Sequence, residues 1–161
     1  MEHILEIFQN HILIASTFSW LISQILKFVI TAIVEKKWRF ERLVGDGGMP
    51  SGHSATVTAM MLMTGYICGL ASAEFAIATL LAIIVMHDAT GVRREAGKHA
   101  VTLLQIIDAF NEMASEKDKL AQQEKLKVFV GHTPVQVFFG AVTGALTSIV
   151  YILIFHVVGI F

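Results

Sequence analysis

A 24-residue apolar run at 11–34 limits what this chain can fold into more than any other feature. A helix needs roughly 20 residues to cross the hydrocarbon core of a bilayer. Among Lys, Arg, Asp and Glu, only Lys27 falls inside the run. Further apolar stretches at 54–73, 74–88 and 134–160 repeat the pattern, the one at 74–88 short for a full crossing. The chain is 55% hydrophobic and 16% charged, against about 25% charged in an average soluble domain. A soluble core of 161 residues has no room for so much apolar surface. The expected fold is therefore all-α: one polytopic membrane domain over 1–161, a helical bundle of about four transmembrane helices, with a charged excursion at 89–131. Four such helices make a small bundle, for which a homodimer is expected.

The polar residues subdivide this frame. Thr17, Gln24, Lys27 and Thr31 recur at spacings of seven, three and four, roughly one helical stripe. Lys27 is then either a lysine snorkelling from near a helix end or one facing a polar cavity within the membrane. Met60, Met61 and Met63 read as packing, and Cys68 as a small buried hydrophobe. Leu103, Ile106, Ile107, Phe110 and Met113 follow helical spacing, so 101–127 reads as an interfacial or cytosol-facing amphipathic helix. His87 and His99 read as solvated or headgroup-facing, and His156 as interfacial or packed. Gly140, Gly144 and Ser148 recur every fourth residue, a small-residue stripe suited to helix contact in lipid. Pro134 fits the first turn of a helix, where its missing N–H is not needed.

All 12 Lys and Arg residues lie between Lys27 and Lys127. With four crossings, the positive-inside rule puts the loops after the first and third helices in the cytoplasm. The start of the chain lacks a basic signal-peptide n-region and carries Glu2 and Glu6. The expected location is a bacterial inner membrane, with the functional face on the cytoplasmic side. A net charge of −1 says nothing specific about partners. Membrane lipids are the expected surroundings, and no nucleic acid, cofactor or metal is expected, since no Cys/His cluster has zinc-ligand spacing.

Chemistry concentrates in Gly47-Gly48-Met49-Pro50-Ser51-Gly52-His53-Ser54. Glycines let backbone N–H groups converge on an anion, serines add hydroxyls, and histidine moves protons near neutral pH. A second histidine, His132, precedes Thr133-Pro134 at another expected helix start. Helix starts favour anions through free N–H groups and the macrodipole. Arg93 and Arg94 can offer forked donors to phosphate oxygens, and Lys27, Lys36 and Lys37 point charges. Two imidazoles flanking a phosphomonoester allow one to attack phosphorus while the other protonates the leaving alcohol.

At these residues the chain resembles the type-2 phosphatidic acid phosphatase (PAP2) superfamily, and more closely its divergent membrane branch. Pro50-Ser51-Gly52-His53 matches the superfamily's second motif. Gly131-His132 with Val137 and Gly140 is similar to the third. Asp88-Ala89-Thr90-Gly91-Val92-Arg93-Arg94 and the run from Gly47 to His53 resemble markers of the divergent branch. The resemblance implies that His132 is the nucleophile and His53 the general acid. It implies that Ser51 and Gly52 bind phosphate, and that Lys27 with Lys36 or Lys37 stands in for the first motif's basic residues.

Two positions depart from the pattern. Lys125 and Lys127, not an arginine, precede His132, and Gln136 stands where an aspartate is expected. Gln136 lies one helical turn from His132 and can accept an Nδ1 proton, but it cannot balance an imidazolium as a carboxylate does. Gln136→Asp is therefore expected to raise the rate if the amide is a handicap, and Asp88 or Asp46 could supply the missing charge. The expected function is hydrolysis of a lipid phosphomonoester, phosphatidylglycerophosphate or phosphatidic acid, through a phosphohistidine. The alternatives are a catalytically weak or inactive lipid-phosphate binder or transporter, and a scaffold working through 101–127.

Overall fold

The structure, a computed structural model, describes residues 6–36, 48–113 and 132–159, with the backbone alone for 92–94. The described residues are helical, with no strand among them. After a short 3-10 turn, Glu6–Gln9, come α1 (His11–Glu35), α2 (Gly52–Cys68), α3 (Ala73–Thr90), α4 (Val92–Met113) and α5 (Pro134–Val157).

Four of the five α-helix starts have a local cause. The side chains of Asn10, Ser51, Ser72 and Thr133 cap α1, α2, α3 and α5, accepting from the N–H groups of Leu13, Ser54, Phe75 and Gln136. Each satisfies one of the donors that a helix start leaves unpaired. Pro134 occupies the first turn of α5, as its sequence position predicts. Gly69 ends α2 with φ +90°, a conformation that suits glycine.

α2 is the inner helix, packed on α1, α3 and α5. The side chain of Ser19 bonds the carbonyl of Ala55, and Ser23 and Gln24 stand against Gly52, so α1 and α2 are antiparallel. Gly140 meets Ser51, Gly144 meets Ala55, and Ser148 reaches Ala59, so α2 and α5 run parallel. The 140/144/148 stripe thus forms a helix contact, as its spacing predicts. An added Cβ at Gly140 would stand 2.5 Å from the carbonyl oxygen of Ser51, and one at Gly144 would strike that of Ala55. Only glycine permits this approach.

The bundle is apolar outside and polar inside. The buried face of α1 is Ala15, Ser16, Ser19, Ser23, Gln24 and Lys27. Its exposed side chains include Phe18, Leu21, Ile22, Ile25, Leu26 and Val29. Water would reject that arrangement; lipid accepts it, because apolar burial no longer drives helix association there. Three helical segments are long and apolar enough to cross a membrane: His11–Glu35, a stretch within Ala73–Met113, and Pro134–Val157. Helix α2, with 17 residues, falls short of the roughly 20 needed. Enclosed by three neighbours, it keeps Thr58, Thr64 and Ser54 inside. The expectation of four spanning helices is thus met for three.

Several sequence expectations shift. The second helix begins at Gly52 and ends at Cys68 rather than running over 54–73. The third runs on past 88 to Thr90. Cys68 is exposed, not buried, because it ends α2, past the last buried position at Gly65. Thr17 is exposed although it shares a seven-residue spacing with buried Gln24. The face that α1 buries rotates along its length, as its cover changes from α5 to α2 and then to the 48–52 loop. Met63 is fully buried among Ala15 and Tyr151, consistent with packing. Helix α4 carries Leu103, Ile106, Phe110 and Met113 exposed along one side. The rest of the expected 101–127 helix, from 114 onward, lies outside the described residues.

Candidate active site

Two helix starts and one helix end meet at one end of the bundle, beside the 23–27 stretch of α1. The starts are those of α2 and α5, and the Ser51 N–H donates to the Gln136 carbonyl at 3.0 Å, joining them directly. The end is the last turn of α3. The His132 N–H donates to the Ala89 carbonyl at 2.9 Å, tying the residue before α5 to the end of α3. Two macrodipoles therefore direct their positive ends at the same place.

His53 and His132 occupy that place. Their rings lie 6.1 Å apart, centroid to centroid, and are inclined at 62°. His53 is the second residue of α2 and half-buried; His132 is only 3% exposed. Helix geometry leaves the N–H groups of Gly52 and His53, the first two of α2, without intrahelical acceptors. Ser51 is fully buried. Its Oγ accepts from the Ser54 N–H at 3.3 Å and pairs with the Ser54 Oγ at 3.0 Å. With its backbone N–H also engaged, the Ser51 hydroxyl proton is what it can offer a ligand.

Gln136 has two tasks at once. Its Oε1 accepts from the Thr133 N–H at 3.0 Å, while the Thr133 Oγ1 accepts from the Gln136 N–H at 3.3 Å, which is a capping box. The same Oε1 lies 3.3 Å from Nδ1 of His132. With the proton on Nδ1, the amide oxygen is its acceptor, and Nε2 keeps its lone pair for attack. The contact with His132 and the cap of α5 are thus made by the same side chain.

Lys27 is 1% exposed, and the backbone of Gly48 covers its stem. A Cβ on Gly48 would stand 3.1 Å from Cγ and 3.2 Å from Cδ of Lys27. Of its two readings, snorkelling is set aside: the lysine is enclosed by protein under the glycine loop. Lys36 is not brought to it. It caps the end of α1 in a left-handed conformation, exposed, and about 13 Å further along the helix axis at the rise of an α-helix.

Asp88, half-buried, lies in the last turn of α3 beside Ala89, at the same end as His132. Arg93 and Arg94 fall on the first turn of α4. Lys37, Asp46, Gly47, Lys125, Lys127 and Gly131 lie outside the described residues. His87, His99 and His156 are exposed. Sequence reading did not foresee the Ala89 tether, since a backbone bond between distant segments has no side-chain signature. It placed Gln24 on a stripe without assigning it to this site; Gln24 proves to be buried against Gly52.

No solved structure matches the chain significantly. An uncharacterised membrane protein, YuiD of Bacillus subtilis strain 168, is 40% identical over 152 residues, covering 91% of this chain and 96% of that one. The description "Divergent PAP2 family" matches residues 8–147, from the start of the first helix to beyond the second histidine. The paired histidines thus sit in an integral membrane protein, and the chain belongs to the divergent PAP2 family.

Proposed function

We propose that this protein is a membrane phosphatase that hydrolyses a lipid phosphomonoester through a phosphohistidine. The observation that carries this reading is the His53–His132 pair, 6.1 Å apart where two helix starts converge. Reacting atoms approach to about 3–3.5 Å before reaction. The two rings are close enough for one bound phosphoryl group to touch both.

Nε2 of His132 attacks phosphorus, and the ester P–O bond breaks. His53, as the imidazolium, gives its proton to the departing alcohol oxygen. Water then attacks the phosphohistidine, His53 takes the water proton, the N–P bond breaks, and phosphate leaves. The Gly52 and His53 N–H groups, the Ser51 hydroxyl, Lys27 and the two helix dipoles stabilise the charge on the phosphoryl oxygens. Arg93 and Arg94 add donors, and Asp88 supports the imidazolium of the second step. A site on the cytoplasmic leaflet favours phosphatidylglycerophosphate or phosphatidic acid, both made at that face, and of the two the glycerol-bearing lipid.

Phosphate release from both lipids by the purified protein tests the reading. His132→Ala should abolish release, and His53→Ala should slow it by about 10²–10⁴-fold, the usual contribution of a general acid. No release from any lipid phosphate, with binding intact, would sink the enzyme reading. Gln136 favours a second reading in that event. A neutral amide shared between His132 and the Thr133 N–H stabilises an imidazolium less than a carboxylate. The protein would then be a lipid-phosphate binder.

A further inference from the structure

Gln24 is 8% exposed, and its Oε1 has no hydrogen-bond partner among the described residues. A buried carbonyl oxygen without a donor is costly and uncommon. This one belongs to a carboxamide at the candidate site. A Cβ on Gly52 would stand 3.4 Å from Nε2 of Gln24 and 3.3 Å from Ser23 Oγ. Gly52 immediately precedes His53, and Lys27 is one turn further along α1. We infer that Gln24 is a specificity residue whose Oε1 accepts a hydrogen bond from a hydroxyl on the alcohol half of the bound phosphomonoester. This rests on the phosphate-binding part of the proposed function.

The acceptor decides the chemistry of its partner. A phosphate dianion presents only acceptor oxygens, so the donor must come from the alcohol half. A cationic donor is disfavoured by buried Lys27 nearby, which leaves a neutral hydroxyl. The carboxamide can then serve both halves of one ligand, its N–H groups toward phosphate oxygens and its C=O toward the hydroxyl. Glycerol-type headgroups have such a hydroxyl beside the ester; phosphatidic acid has none. A site built around a buried acceptor rejects the analogue that lacks the donor, because the acceptor is then left unpaired.

Calorimetric titration of the purified full chain in nanodiscs, with sn-glycerol 3-phosphate and n-propyl phosphate, tests this. The two ligands share a phosphate and three carbons and differ in hydroxyls. The expected preference for glycerol phosphate is about tenfold or more. Gln24→Met should bring the ratio close to one. Gln24→Glu, which keeps an acceptor but repels phosphate, should weaken both ligands and retain the preference. A wild-type ratio near one overturns the inference, as does a Gln24→Met ratio equal to that of the wild type. Phosphate release from lipid substrates is read separately. If the binding preference holds with no release, the hydrolytic reading falls and the role of Gln24 stands.

Discussion

At the scale of single residues, Gln136 is where structure and chemistry bear on each other most directly. One amide oxygen closes the capping box of α5 and faces Nδ1 of His132. That double duty sets the length a replacement must have. Aspartate, one methylene shorter, retreats from the Thr133 N–H, so the Gln136→Asp test suggested by sequence alone would change two interactions at once. Gln136→Glu keeps the reach and adds the charge. It should raise kcat for lipid phosphate hydrolysis several-fold at unchanged thermal stability. Gln136→Leu removes both bonds; it should cost about 1 kcal/mol in stability and lower kcat far more than KM rises. Thermal unfolding in detergent beside steady-state kinetics separates the two effects. Gln136 was legible as a departure from an expected motif. That it caps the helix and orients the histidine together depends on a rotamer, which no sequence pattern carries.

At the scale of elements, the contact of α2 with α5 holds the site. Ser51 caps α2, donates its N–H to Gln136 in the first turn of α5, and rests against Gly140. A Cβ at either Gly140 or Gly144 would meet a backbone carbonyl, which cannot swing aside as a flexible side chain can. Gly140→Ala and Gly144→Ala should each destabilise the bundle by about 1–3 kcal/mol, the usual cost of overpacking, seen as a lowered Tm in detergent. Their effects on function should differ. Gly140→Ala displaces Ser51 and with it the geometry between His53 and His132, so it should also lower kcat. Gly144→Ala, one turn further from the site, should act mainly on stability. The four-residue recurrence of small residues announced this contact, but not which helix would receive it. Small residues say that something comes close; only the packed bundle says that it is the start of α2 at Ser51.

At the scale of the whole molecule, α1 and α3 run one way and α2 and α5 the other, so the paired histidines, Lys27 and the glycine loop share one end. The side of the membrane they face is an expectation of the basic-residue bias. Cysteine labelling tests it: with Cys68 replaced by Ala, Gly45→Cys should react with an impermeant maleimide from the cytoplasmic side and Phe161→Cys from the opposite side. The reverse pattern would put the site outside, and the same side for both would mean an odd number of crossings.

The sequence by itself determined the solvent and the helices. Apolar runs of spanning length are a local property, and so are the caps at Ser51 and Thr133 and the proline at 134. Motif residues around His53 and His132 likewise carried the family resemblance before any fold was known. Tertiary structure alone decided the rest. It enclosed Lys27 under Gly48 and left Lys36 outside. It placed a 17-residue helix too short to cross by itself at the centre of longer ones. It set Gln24 against the helix that begins the site. The physical reason is the same in each case. In lipid, apolar pattern no longer tells a helix which face to bury, because every face finds an apolar solvent. Close backbone approach and polar partners make that choice, and both are properties of pairs of segments.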